Sequence, residues 1–495
     1  MERPNVILIM CDQLRADCIG ALGNDEVQTP NLDRLVRRGI SFSHAYSSCP
    51  VCVPARYTIR TGCESYHTGY YENGAPLREQ GHRETVRELC GEYIGEYMTK
   101  RGFRTFGIGK FHAHPYNEPM GYEVQYPTEE IWDDEANKNW DSYANFIKTE
   151  HPEYRHIEQL HGERTNMYYM PQTSPFPKEL TVEGYVADLA AAEIGKEDGR
   201  PYFGFVSFIG PHPPLAPPIP YNRMYNPDHL RSPYRAGKKI DTMDETVNKM
   251  NYDIWAEDLS DAVARNVKAH YYGEISYIDA CLGKILDAVE ARKDADNTIL
   301  CFVSDHGDHM GDHGAWQKES FFEQSVRIPF LLSWPRVLKQ NKTSEELVGL
   351  ADIFSVISTA SGEVQVRDGV DILQTLQAGG RTREYLFSFY GLPGTNRFKM
   401  MVRDKNFKYV YFANGGKEAL FDMRGDARET RLVNRVFAKD LKRLREAALA
   451  KCAEEAQLNR ALREDGKFIK YPHQTFARSR IKQFDLASGV QDFSR

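Results

Sequence analysis

Four short apolar runs, NVILIM from Asn5, FRTFGIGK from Phe103, YFGFVSFIG from Tyr202 and TILCFVSDHG from Thr298, each break off into Gly, Pro, Lys, His or Asp. Continuous apolar character over a strand's length is what a strand covered on both faces requires. Helical patterns lie between the runs. QTPNLDRLVRRG predicts a helix with Thr29 as N-cap, Pro30 in its first turn and Gly39 as its stop. Apolar residues recur at three and four from Glu84 to Lys100, through Val86, Leu89, Cys90, Tyr93, Ile94 and Tyr97, which predicts one amphipathic helix. A long helix is predicted over NVKAHYYGEISYIDACLGKILDAVEARKD.

Strands alternating with helices imply an α/β fold built on a large, mainly parallel, mixed sheet sandwiched by helices. In such sheets ligands gather outside the carboxyl ends of the strands. The polar clusters after Met10, Gly109, Ile209 and Ser304 all fall at such ends, so four distant segments are expected to converge on one pocket. Residues 120–260, rich in Pro, Tyr, Trp, Asn and charge, read as insertions walling that pocket. From about Arg381 the pattern changes to EYLFSFYG, FKMMVRD and FKYVYFANGG, which turn as an antiparallel meander would. The expected division is a catalytic region over 1–380, a smaller C-terminal α+β subdomain with an antiparallel sheet and a helix over 381–470, and a tail over 471–495. That tail is expected to wrap the body or a neighbouring subunit, which leaves a homo-oligomer open.

Composition narrows the function classes. A net charge of -7 without basic blocks argues against nucleic acid or an anionic membrane as a partner. No apolar run nears the roughly 18 residues that span a bilayer, and NVILIM is too short for an export signal. The chain is expected to be soluble and cytoplasmic. Its nine cysteines are odd in number and scattered, a reduced-thiol pattern.

Cys49 and Cys52 stand three apart in CPVCVPARYTIRTG. A zinc site needs a second such pair, which the chain lacks, and a redox CxxC does not suit the prolines at 50 and 54. Cys52-Val53-Pro54-Ala55-Arg56, followed by Thr61-Gly62, instead resembles the signature of the sulfatase family within the alkaline phosphatase superfamily. The resemblance extends in order through NVILIMCDQLRAD, NGAPL at Asn73, GIGKFH, GPHPP, SDHGDHMGDHGAWQK and FDMRGDARETRLVN.

That resemblance implies an alkaline-phosphatase-like fold and a small-molecule sulfate ester as substrate. It implies that a maturation enzyme converts Cys52 to formylglycine, whose hydrated aldehyde is the nucleophile. A gem-diol offers two hydroxyls: one attacks sulfur, and the second, on losing its proton, lets the sulfated hemiacetal collapse and expel sulfate. The resemblance also implies one divalent metal, calcium before magnesium or manganese, on Asp12, Gln13, Asp305, His306 and the modified Cys52; carboxylate, amide and imidazole donors suit such ions. Arg56 would hold the formylglycine hydroxyl, Lys110 and Lys318 the sulfate, and His112 would help expel it. His212 would give a proton to the leaving alcohol, and Asn73 matches a position that touches sulfate or the nucleophile. On an extended segment Lys110 and His112 would face one side. His309 and His313 read as loop surface.

The chain departs from the common pattern. Cys11-Asp12-Gln13 stands where most sulfatases have two consecutive aspartates, and Asp305-His306 where many have Asp-Asn. Both features are similar to the phosphonate monoester hydrolase and phosphodiesterase branch. The Lys110-x-His112 pair, which that branch replaces by uncharged residues, favours sulfate. A third reading is a binding protein with unmodified Cys52.

Overall fold

The computed structural model describes residues 2–73, 85–115, 117–129, 139–154, 169–248 and 259–476. Its larger sheet has the order β4-β3-β5-β1-β6-β7-β2-β8. The strands are β1 (Asn5–Asp12), β2 (Ile40–Tyr46), β3 (Arg104–Gly109), β4 (Val124–Pro127), β5 (Tyr202–Pro211), β6 (Thr298–Ser304), β7 (Phe330–Ser333) and β8 (Lys342–Gly349). β4, β3, β5, β1 and β6 pair in parallel; β7 runs against β6 and β2, and β2 pairs with β8 in parallel.

β1 shows why its run had to be continuous. Ile7, Ile9 and Cys11 enter one core and Val6, Leu8 and Met10 the other, so neither face meets water. The first core takes Val182 and Val186 from the helix Val182–Gly195, with Ile275, Ile278, Leu282, Ile285 and Val289 from the helix Asp261–Glu290. The second takes Val53, Tyr57 and Ile59 from the helix Cys52–Thr61, with Ile353 and Phe354 from the helix Asp352–Ser358. This is the expected sandwich.

A second, antiparallel sheet follows the order β12-β11-β10-β9, with β9 (Leu386–Tyr390), β10 (Lys399–Arg403), β11 (Phe407–Phe412) and β12 (Lys417–Asp422). The helix Ala438–Glu454 buries Leu444, Ala448 and Cys452 in the same cluster as Met400, Val402 and Tyr409 of that sheet. Residues 477–495, most of the expected tail, lie outside the described residues, as do parts of the 120–260 stretch and of the NGAPL segment.

The helix Pro30–Arg38 has its predicted ends at Thr29 and Gly39. Thr29 does not cap it through its side chain; the hydroxyl accepts from Gly20 N–H at 2.8 Å and bonds Asp33 at 3.0 Å. The single helix expected from Glu84 to Lys100 is two: Val86–Cys90, opened by a Thr85–Glu88 capping box, and Ile94–Lys100. Gly91 at φ +80° ends the first. Arg367 takes the carbonyls of Cys90 and Glu92 at 2.9 and 3.0 Å, acceptors that a continuous helix would use internally. Periodicity could not see this partner, which lies nearly 280 residues away.

Candidate active site

The four expected segments converge. β3, β5, β1 and β6 are neighbours, and their carboxyl ends carry Lys110, His212, Asp12 and Asp305 with His306. Cys52 begins the helix Cys52–Thr61, whose ten residues are all buried. Asp12, Cys52, Asp305 and His306 each direct a ligand atom to within 4.8 Å of the others, and all four are buried. A helix N-terminus favours negative charge, which suits an ionised group at residue 52.

Three cations meet this cluster from outside, and His306 within it also faces residue 52. Lys318 Nζ donates to Cys52 Sγ at 3.0 Å and to Gln13 Oε1 at 2.8 Å. His306 Nε2 lies 3.2 Å from Cys52 Sγ. Lys110 Nζ donates to Asp12 at 2.7 Å. Arg56 bridges the carboxylates, donating to Asp12 and to Asp305 at 3.0 Å each, and it also holds the Lys110 carbonyl and the Ser207 hydroxyl at 2.7 and 3.1 Å. Burial would raise the Cys52 thiol and Asp12 adds to that, but Lys318, His306 and Lys110 prevail and bring it down to about 6.

The two carboxylates differ. Burial works against ionised Asp12, yet Lys110, His212, Lys318 and Arg56 hold it well below the usual carboxylate range. Asp305 is pushed up by burial and by Asp12, with His306 and Arg56 opposing. Two buried carboxylates in repulsion call for added positive charge between them. His306 Nδ1 lies 3.0 Å from the Gly307 carbonyl, an oxygen that can only accept, so that nitrogen carries hydrogen and it is Nε2 that offers a lone pair to the cluster when the ring is neutral. The donor set therefore fits a divalent cation.

Gln13 is buried at φ +69° beside the cluster, but its carboxamide is engaged by Lys318 and by Asp308. Asn73 accepts Val53 N–H at 2.8 Å, so it caps the helix that starts at Cys52. His212 is buried, and its Nδ1 meets the Pro213 carbonyl at 2.7 Å. Nδ1 thus carries hydrogen, and a proton leaves from Nε2 only when the ring is imidazolium. Glu183 and Glu274, both buried, accept Gly210 and Ala216 N–H at 3.2 and 3.0 Å and so pin the chain on either side of His212. Cys49 is buried, its thiol against the Tyr71 carbonyl.

Two expectations need correction. β3 ends at Gly109, at φ +98°, and His112 sits at φ +51°, so the Lys110–His112 segment is not extended and two-residue alternation does not describe it. The cause is Glu129, whose carboxylate accepts both Phe111 and His112 N–H at 3.0 and 2.9 Å. His309 and His313 are buried, not surface: His309 Nε2 bonds Ser320 at 2.6 Å, while His313 bonds Asp241 at 2.9 Å and stacks on Phe322.

Glu129 and Asp308 were not singled out from the sequence. Asp308 accepts from Met310 and Gln317 N–H, Gln13 and Tyr169, and so organises the loop that delivers Lys318. Its only signal was its place in SDHGDHMGDHG, where the histidines drew attention. Burial raises Glu129 to about 7, against the pull of the His112 amide, Lys110, Arg56 and the Phe111 amide. The folded chain thus binds this proton more tightly than the unfolded one, so the stability it confers is full below about 4.5 and is lost as pH rises to about 7. Glu129→Gln is expected to remove from the pH dependence of unfolding a slope worth on the order of 3 kcal/mol. Urea unfolding at about pH 4 and about pH 8, either side of that window, measures it; identical slopes in both proteins would contradict this account.

The sequence model of the family described as Sulfatase matches residues 4–363, and that described as N-sulphoglucosamine sulphohydrolase, C-terminal, matches residues 311–455. An arylsulfatase of Clostridium perfringens (strain 13 / Type A) is 28% identical over 451 residues, covering 87% of this chain and 90% of the relative. The multifunctional alkaline phosphatase superfamily protein PehA of Trinickia caryophylli is 27% identical over 483 residues, covering 87% and 91%. The fold is shared with the phosphonate monoester hydrolase of Agrobacterium radiobacter at a TM-score of 0.72 and 24% identity, over 92% of this chain and 96% of that one.

Proposed function

The chain belongs to the sulfatase family, a family of hydrolases, and from that premise we propose that it cleaves a small carbohydrate O-sulfate to alcohol and inorganic sulfate through a formylglycine made from Cys52. The observation that carries this reading is Cys52 itself: the signature cysteine starts a buried helix, with Lys318 and His306 on its sulfur and two carboxylates beside it. The carbohydrate is suggested by the match of residues 311–455 to the C-terminal region of N-sulphoglucosamine sulphohydrolase.

In this reading Lys110 and Lys318 hold the anionic oxygens of the sulfate, and charge placed where the transition state gathers charge lowers the barrier. Arg56 fixes residue 52 relative to Asp12 and Asp305. Asp12, Asp305, His306 and the modified residue 52, with Gln13 alongside, would hold a divalent cation, calcium by our reading, which would supply Lewis-acid charge beside residue 52. As the sulfur–oxygen bond to the alcohol breaks, imidazolium His212 gives its Nε2 proton to the leaving oxygen. His112 takes the proton of the remaining hydroxyl, and the hemiacetal collapses to aldehyde and free sulfate.

A second reading, phosphonate monoester or phosphodiester hydrolysis, is favoured by the Gln13 and His306 positions and opposed by Lys110 and His112. One experiment separates the two. The tryptic peptide 39–56 is first checked by mass for formylglycine; then turnover of sugar sulfates, an aryl sulfate, choline sulfate and a phosphodiester is compared. Sugar sulfates are expected to lead, and chelation is expected to silence turnover and lower Tm. Diester turnover exceeding sulfate turnover by orders of magnitude would move the assignment to the second reading, and undiminished turnover after verified metal removal would contradict the cation site.

A further inference from the structure

A cavity of about 340 Å³ shares no residue with the cluster of Asp12, Cys52, Asp305 and His306. Its walls come from the segment after β1, the helix Asp261–Glu290, the segment before β7 and the loop after β12. That volume lies in the range of small-molecule sites, and a joint between two folding units is a common place for one. Most of its charges answer one another. Arg15, buried, grips Asp17 with two nitrogens at 2.8 and 2.7 Å and meets Asp312 at 2.9 Å. Lys268 pairs with Glu26 at 2.8 Å, and Arg231 with Asp25 at 2.6 Å. Two arginines stand apart. Arg428 is exposed, rests over the Tyr234 ring at 5.1 Å and forms no ion pair among the described residues. Arg327 comes no nearer to a described carboxylate than 3.5 Å, from Nε to Glu323, and that nitrogen is buried without a hydrogen bond. Glu323 is committed to Lys408 at 2.7 Å. Beside them Gln324, 7% exposed, gives its amide nitrogen to the Tyr234 hydroxyl and leaves its buried carbonyl oxygen without a donor.

The unmatched charge in the cavity is positive, and it is carried by planar guanidinium groups, which take up a carboxylate or phosphate through paired hydrogen bonds. We propose that the cavity is a second ligand site, for a small hydroxylated oxyanion of the sugar-acid or sugar-phosphate class. The oxyanion sits on Arg327 and Arg428. The hydroxyls donate to the Gln324 carbonyl oxygen and to the Asp17 carboxylate, whose side chain stays 49% exposed although Arg15 holds it. A body without hydroxyls would leave the Gln324 oxygen buried and unmet, at the cost of its lost hydration.

Arg15 ties this cavity to its surroundings. It also holds the Asp308 and His309 carbonyls at 3.2 and 3.0 Å, so the occupant lies against the loop that leads to Lys318 without entering the Cys52 cluster. This inference is independent of the reaction assigned to that cluster.

The test is isothermal titration of the full-length protein with glucuronate and with glucose 6-phosphate, and with glucose and inorganic phosphate as the separate halves of such a ligand. One or both sugar anions are expected to bind about tenfold or more tightly than either half, and the one that binds better tells a carboxylate ligand from a phosphate one. Arg428→Gln is expected to weaken that binding by about tenfold or more, the scale of one lost charge-assisted contact. Because Arg428 is exposed and unpaired, this variant keeps its fold, which an unchanged Tm verifies. Arg327→Gln is expected to weaken binding in the same direction. Absence of binding by both sugar anions, or inorganic phosphate that binds as tightly as they do, would overturn the proposal. So would binding that Arg428→Gln leaves unchanged, since the anion would then sit elsewhere on the protein.

Discussion

Cys52→Ala is expected to lower sulfate-ester turnover by about 10⁵-fold or more, the scale on which loss of a covalent nucleophile acts. The residue is fully buried, and removing one sulfur there costs about 1–2 kcal/mol of stability, so the loss is chemical and not a loss of fold. Cys52→Ser sharpens the test. A serine hydroxyl can take the sulfo group, but it has no second hydroxyl from which the adduct can collapse. The expected outcome is one turnover at most and a protein heavier by one sulfo group, seen by intact mass. A Cys52→Ser enzyme that turns over repeatedly would contradict the gem-diol mechanism, and an active Cys52→Ala enzyme would remove residue 52 from the chemistry altogether.

Arg56→Met is expected to be the most damaging single change for stability. Arg56 is 1% exposed and spans Asp12 and Asp305, which are fully buried. Breaking a buried ion pair by deleting one partner leaves its charge without compensation and costs about 3–5 kcal/mol. Denaturant unfolding of the chelated protein measures the loss, and adding a divalent cation is expected to recover part of it, because the cation meets the same carboxylates. A change below about 1 kcal/mol in the chelated variant would place Arg56 among surface-like pairs, contrary to its geometry.

Much of the architecture was legible because burial on both faces leaves a mark that needs no partner to read. NVILIM, YFGFVSFIG and the ILCFV of TILCFVSDHG are almost wholly apolar, and each is a central strand of the larger sheet. The polar residues that end these runs and FRTFGIGK mark the carboxyl edge, and this places Asp12, Lys110, His212 and Asp305 on one side of the sheet. Thr29 and Gly39 bound a helix because Pro30 and the glycine act locally. The break at Gly91 was not legible, since its cause is a guanidinium from residue 367. The burial of His309 and His313 escaped for a related reason: each has one ring nitrogen bonded to a distant or loop-borne group, Ser320 or Asp241, and a polar residue whose partner is unknown looks like surface.

The sequence by itself determined the central strands of the larger sheet, the family signature at Cys52 and the residue types that gather at one edge of the sheet. These depend on hydrophobic pattern and on motifs read along the chain. Only the tertiary structure decided how the charges are shared: Lys318 on Cys52, Arg56 across two carboxylates, Glu129 bending the His112 segment and Asp308 shaping the loop before Lys318. Each of those is a pairing between residues far apart in the chain. The energy of a buried charge depends on what lies within a few ångströms of it, and that distance exists only once the chain has folded.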